Sequence, residues 1–113
     1  MTDVSKEDLA RQLWAIGDIV RLRILDLLPP SADCQDANNV SALAEQLGLT
    51  QPTISHHLLV LRQAGLVEHK KMCRDCYYWV TLEAAEAVLR NLRDTLSNPH
   101  YVPVGDEKQA GVD

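Results

Sequence analysis

The strongest constraint on this chain lies in residues 48–65, Gly48-Leu49-Thr50-Gln51-Pro52-Thr53-Ile54-Ser55-His56-His57-Leu58-Leu59-Val60-Leu61-Arg62-Gln63-Ala64-Gly65. Thr50 is placed to N-cap a helix through the backbone N–H of Thr53. Pro52 falls in the first turn, where a missing N–H costs nothing. Ile54, Leu58 and Leu61 stand at i, i+4 and i+7 and share one inward face. Gly65 suits the left-handed residue that closes such a helix. The other faces carry Gln51, Thr53, Ser55, His56 and Arg62, with no acid among them. Short donors and acceptors at a helix N-terminus are the chemistry that reads base edges in a major groove, and an acid there would meet phosphate repulsion. Upstream, residues 40–47 predict a second short helix closed by Gly48. Gly48-Leu49-Thr50 is then a tight turn between two helices, the helix-turn-helix arrangement.

The length of 113 residues suits one small domain, and a domain of this size is often stabilised by dimerisation. No apolar run approaches the roughly 18 residues of a membrane span. Residues 1–7 are polar and have no signal-peptide core, so a cytoplasmic location is expected. The net charge of −5 argues against nucleic acid at first sight. Its distribution argues the other way. Residues 50–81 carry Arg62, Lys70, Lys71 and Arg74 against Glu68 and Asp75, so positive charge gathers beside the candidate reading helix.

Residues 5–15 predict a first helix with Ser5 and Asp8 in a capping-box spacing. Leu9, Leu13 and Ile16 share its apolar face, with Trp14 beside it. Asp18 caps the next helix, 19–28, whose inward stripe is Val20, Ile24, Leu27 and Leu28, and Pro29-Pro30 stops it. Arg21 and Arg23 can either reach phosphate or pair with acids. Residues 31–39 form a long polar loop containing Cys34. Residues 66–72 and 76–81 read as two strands joined by Cys73-Arg74-Asp75, a hairpin with a basic tip. A last helix opens at Thr81 or Glu83 and runs to about Leu96, with Ala85, Val88, Leu89, Leu92 and Leu96 apolar. Residues 1–98 form the domain, and 99–113 read as a loose tail.

Five motifs in this order resemble the ArsR/SmtB family of bacterial winged-helix repressors. They are Gly17-Asp18-Ile19-Val20-Arg21-Leu22-Arg23-Ile24-Leu25, Leu43-Ala44-Glu45-Gln46-Leu47-Gly48-Leu49, Gln51-Pro52-Thr53-Ile54-Ser55-His56-His57-Leu58, Leu61-Arg62-Gln63-Ala64-Gly65-Leu66-Val67, and Tyr77-Tyr78. The resemblance covers about residues 9–90. It implies a mainly α fold with a small β-hairpin, a winged helix-turn-helix of five helices plus wing, forming a homodimer through its first and last helices. It also implies a repressor that binds double-stranded operator DNA. The DNA-facing set is Gln51, Thr53, Ser55, His56, His57 and Arg62 on the helix, with Lys70, Lys71 and Arg74 on the wing. His56 and His57 point about 100° apart on a helix and do not chelate a metal together; the family pattern gives them to the DNA face or to its support.

The three cysteines, Cys34, Cys73 and Cys76, are the candidate effector ligands. A cytoplasmic setting favours metal or redox chemistry over a structural disulfide. Cys73 and Cys76 are expected to oppose one another across the hairpin, close enough to share a soft ion or to form a disulfide. Lys70, Lys71 and Arg74 supply the positive setting in which thiols react. Three thiolates suit arsenite, antimonite or a soft divalent metal as effector, with Cys34 completing the set. The fold itself requires no cofactor. The family's usual metal positions are not matched. Its arsenic sensors often carry paired cysteines near the start of the helix at 40–47, which here reads Val40, Ser41, Ala42 and Leu43. Its zinc sensors use Asp, His and Glu ligands on the last helix, which here offers Glu83, Glu86 and Asp94 with no histidine before His100. Two other readings stay open: a redox or persulfide thiol switch, and a repressor without a small-molecule effector. No nucleophile elbow or phosphate loop points to an enzyme.

Overall fold

A computed structural model describes residues 5–32, 38–72, 74–97, 100 and 102. The order is α1 (Lys6–Ile16), α2 (Ile19–Leu27), α3 (Val40–Leu47), α4 (Gln51–Gln63), β1 (Val67–Met72), β2 (Asp75–Val80) and α5 (Leu82–Ser97). These are the five helices and one hairpin expected from the sequence. Cys34, Cys73 and most of the expected tail fall outside the described residues.

Local chemistry sets the helix ends. Ser5 accepts from Asp8 N at 3.0 Å to start α1. Asp8 then pairs with Arg11 at 2.7 Å. Asp18 Oδ1 accepts from Val20 N at 2.8 Å and Arg21 N at 3.2 Å to start α2. Gly48 takes φ +68° after α3, and Leu49 N–H returns to the carbonyl of Ala44 at 3.0 Å. Gly65, at φ +77°, allows the same closure after α4, where Leu66 N–H meets the carbonyl of Leu61 at 3.0 Å. A side chain at either glycine would meet no neighbour within 4 Å, so the requirement is the backbone angle alone.

The core is built around α4. Ile54, Leu58 and Leu61 are fully buried with Ile24 of α2 and Leu43 of α3. Leu9 from α1, Leu66 and Val67 after α4, Tyr78 from β2 and Val88 from α5 close the same cluster. The buried residues of α2 are Arg21 and Ile24, with buried Leu28 at its C-cap, while Val20 and Leu27, expected on the stripe, are half-buried. Among the described residues no helix is long and apolar enough to cross a membrane.

The hairpin is tighter than the sequence suggests. Its antiparallel register runs from Val67 opposite Val80 to Met72 opposite Asp75. Asp75 therefore belongs to β2, and Arg74 stands in the turn. Arg74 takes φ +73°, a left-handed angle uncommon for a residue with a side chain. Cys76 lies opposite Lys71; the expected pairing of Cys76 with Cys73 lies outside the described residues. The base of the wing is tied to the body by Val80 N–H to Pro29 O at 2.8 Å and Thr81 N–H to Leu66 O at 2.9 Å.

Candidate nucleic-acid interface

The N-terminal half of α4 is presented to solvent as a polar row. Thr50 caps it, accepting from Thr53 N at 3.3 Å, and Pro52 fills the first turn. Gln51, Thr53, Ser55 and His56 are exposed, while Ile54, Leu58 and Leu61 are buried. No acid stands in the first turn, so the free N–H groups and positive end of the helix dipole are uncompensated by the helix's own side chains. The Thr50 and Thr53 hydroxyls share a 2.9 Å hydrogen bond, which fixes the Thr53 rotamer. Arg62, also exposed, sits at the other end of α4.

The wing extends the charge of this surface. Lys70, Lys71 and Arg74 are all exposed. The wing's orientation comes from the segment before α3. Asn39 forms an isolated bridge with Tyr77, and Asn38 donates its side-chain amide to Tyr78 O at 2.8 Å. Asn39 also donates to Asp75 Oδ2 at 3.0 Å. Two asparagines thus tie β2 to the segment that leads into the helix-turn-helix.

His57 has a different place from its neighbour. It is half-buried, and its Nδ1 lies 3.0 Å from Nη1 of Arg21. Burial chiefly holds its imidazole below the usual histidine range. The Arg21 charge and His56 add to this, and Asp18 opposes it. Arg21 is itself 6% exposed, with Nε donating to Ala15 O at 2.6 Å and its guanidinium 4.9 Å above the Trp14 ring. Arg21 is therefore committed inside the protein, not to phosphate. The signal was present in the spacing. His57 stands three residues after Ile54 and four before Leu61, on the inward stripe, and Arg21 stands three before Ile24.

Cys76 is half-buried and packs against the core. It neighbours Tyr78, whose hydroxyl is raised above its usual range by burial first and then by the Cys76 thiol. On the outer side, the ring of His69 stacks on Tyr78 with centroids 5.4 Å apart. Among the described residues no group of three His, Cys, Asp or Glu side chains is arranged to hold a metal ion.

Comparison with known proteins agrees with this geometry. Residues 18–69 match the family model described as "Bacterial regulatory protein, arsR family". A biofilm growth-associated repressor of Xylella fastidiosa is 40% identical over 89 residues, covering 79% of this chain and 73% of that protein. The solved structure of an ArsR-like transcriptional regulator from Rhodococcus sp. RHA1 superposes with a TM-score of 0.69 at 25% identity, over 94% of this chain and 90% of that one. A homodimeric winged helix-turn-helix DNA-binding domain from Mycobacterium bovis superposes with a TM-score of 0.60 at 27% identity, over 91% and 100% of the two chains. The chain belongs to the arsR family of bacterial regulatory proteins, which are DNA-binding transcriptional regulators and not enzymes.

Proposed function

We propose that this protein is a homodimeric repressor that reads a palindromic operator with α4, steadies itself on the backbone with its wing, and leaves DNA when its thiols are ligated. The observation that carries the reading is the acid-free exposed row Gln51, Thr53, Ser55 and His56, flanked by exposed Lys70, Lys71 and Arg74. Uncharged donors and acceptors on a helix read base edges, and flexible cations hold phosphates. The half-buried His57 supports this row from behind. The name of the Xylella relative is that of a repressor, which favours the same direction of control.

Dimerisation is supported by α5. Leu82, Leu89 and Leu96 stand seven residues apart and are 50%, 66% and 76% exposed. Such a stripe on a helix demands a partner face. The Mycobacterium bovis neighbour is described as homodimeric. Two copies related by a two-fold axis would present two α4 helices to two half-sites.

The effector reading rests on Cys34, Cys73 and Cys76 as thiolate ligands for arsenite, antimonite or a soft metal. Of the three, Cys76 stands on β2 opposite Lys71. Chain reach supports Cys34 as a partner. It is four residues before Asn38, which is hydrogen-bonded to Tyr78 O. Four residues of extended chain span about 14 Å at most. A ligand bound at Cys76 would act on β2 and so on the neighbouring basic tip, by a population shift between DNA-competent and DNA-free states.

The test is fluorescence anisotropy of reduced protein on its own promoter duplex, with and without arsenite. Salt-sensitive binding that arsenite abolishes supports the reading. Release should disappear in a Cys73→Ser/Cys76→Ser double variant that still binds DNA. Release that persists in that variant removes these cysteines from the effector site. A disulfide formed reversibly under mild oxidation would instead favour the thiol-switch reading.

A further inference from the structure

We infer that the contact between Arg21 and His57 is a positioning device for the recognition helix, and that it holds α4 in its DNA-reading seat only while the His57 imidazole is neutral. The inference rests on the reading of α4 as the DNA-contacting element.

A guanidinium is donor-only and stays charged throughout the physiological range. With Arg21 Nη1 at 3.0 Å, His57 Nδ1 has to accept. The imidazole is then neutral, with its proton on Nε2. Protonation would place an N–H opposite an N–H and a cation beside a buried cation. Arg21 has little freedom to retreat, because Nε is held by Ala15 O at 2.6 Å and the guanidinium lies over the Trp14 ring. Among the described residues no carboxylate stands within ion-pair distance of it.

The charged and titratable groups around His57 agree. From α2 and its cap come Arg21 and Asp18, and from α4 itself comes His56. α1 contributes only the uncharged Ala15 carbonyl and Trp14 ring, through Arg21. Burial and Arg21 favour the neutral form, and Asp18 is the single opposing group. The contact bridges α1, α2 and α4 at the middle of the reading helix, next to the exposed His56. Its loss would free α4 to shift against α2 and move Gln51, Thr53 and Ser55 together.

The expected sign is unusual for a DNA-binding protein. Lowering the pH ordinarily adds positive charge to a protein and strengthens its attraction to phosphate. A gate at His57 does the opposite. Below its titration midpoint, binding should weaken by up to about tenfold per pH unit for each protomer that must remain neutral.

The first experiment is long-range 1H–15N correlation spectroscopy of the histidine side chains in DNA-free protein, from pH 7.5 to 5.5. His57 is expected in the Nε2–H tautomer at pH 7.5, with α2 and α4 backbone amides shifting as it titrates. A charged His57 at pH 7.5, or an Nδ1–H tautomer, overturns the inference. The second is anisotropy on promoter DNA over the same range, comparing wild type with His57→Asn, whose amide oxygen replaces the Nδ1 acceptor without titrating. Wild type should lose affinity as pH falls, and the variant should not. Equal pH profiles for the two proteins contradict the gate. Should neither protein bind promoter DNA at pH 7.5, the failure falls on the DNA reading, and the tautomer measurement still decides the Arg21–His57 pair.

Discussion

Asn39 joins two elements through one side chain: its Nδ2 donates to Asp75 Oδ2 at 3.0 Å, while its Oδ1 accepts from Ala42 N at 2.7 Å. The first bond steadies the turn end of the wing, and the second caps α3, the first helix of the helix-turn-helix. Asn39→Ala should lower the unfolding free energy by about 1–2 kcal/mol in urea titrations. Asn39→Asp keeps a cap but sets two carboxylates face to face. Hydrogen exchange should then stay slow in α3 and quicken in β1 and β2. Unchanged protection in the strands would show that the amide is not the tether.

The basic side chains of the wing should reveal themselves through salt. Each phosphate contact contributes roughly 0.9 to the slope of log affinity against log salt concentration. Lys70→Ala or Lys71→Ala removes one contact per protomer, so the slope of a dimer should fall in magnitude by about 2. The loss should be similar on specific and scrambled duplexes. A variant that loses affinity on the operator alone would place that lysine on bases instead of phosphate.

The leucine stripe of α5 predicts the oligomeric state. Leu89 is 66% exposed in a single copy, so Leu89→Lys should leave the protomer folded by circular dichroism. In a dimer the same change brings charge into an apolar interface. Multi-angle light scattering should report half the wild-type mass, and operator affinity should fall because one half-site contact is lost. A mass unaffected by the substitution would move the interface elsewhere.

Acid stability should carry the mark of Asp18. Its carboxyl is held below the ordinary value of 3.8, chiefly by the backbone hydrogen bond from Arg21. The folded pKa lies below the unfolded one, so the unfolded chain binds more protons as pH falls. The stabilisation is complete above the unfolded pKa and is lost as pH falls through the folded value. Asp18→Asn retains a cap without a titrating group, and its stability should be flatter below pH 4. His57 acts in the same direction at higher pH, since its folded pKa also lies below the ordinary histidine value. Its contribution is lost as pH falls from 6.5 towards the folded value. Parallel acid limbs for wild type and Asp18→Asn would show that the cap charge is not responsible.

The parts legible in the sequence are those set by short-range chemistry. Thr50, Asp18 and Ser5 announce their helices because a cap needs only its own next three residues. Gly48 and Gly65 mark ends because the left-handed angle disfavours side chains. Ile54, Leu58 and Leu61 are found by period alone and form the centre of the core. The wing's register was not legible, because the bend uses a left-handed arginine, Arg74, where sequence offers no glycine. That shift moved Asp75 into β2 and put Lys71 opposite Cys76. The roles of His56 and His57 were not separable by composition. Which imidazole turns inward depends on where α2 delivers Arg21, a tertiary fact that the Ile54-to-Leu61 stripe only hints at. The part played by Asn38 and Asn39 was equally hidden, since their partners lie 36 to 40 residues away.

The central claim is that the exposed row of α4 reads operator sequence. Its most direct test is anisotropy of wild type and a Gln51→Ala/Ser55→Ala variant on the promoter duplex and on a scrambled duplex of equal length, at one fixed salt concentration. Both substitutions lie on exposed positions away from the core. The account predicts that wild type prefers the promoter strongly, and that the variant loses most of this preference while keeping its weak affinity for scrambled DNA. A variant with the full wild-type preference would contradict the claim and place sequence reading on another surface.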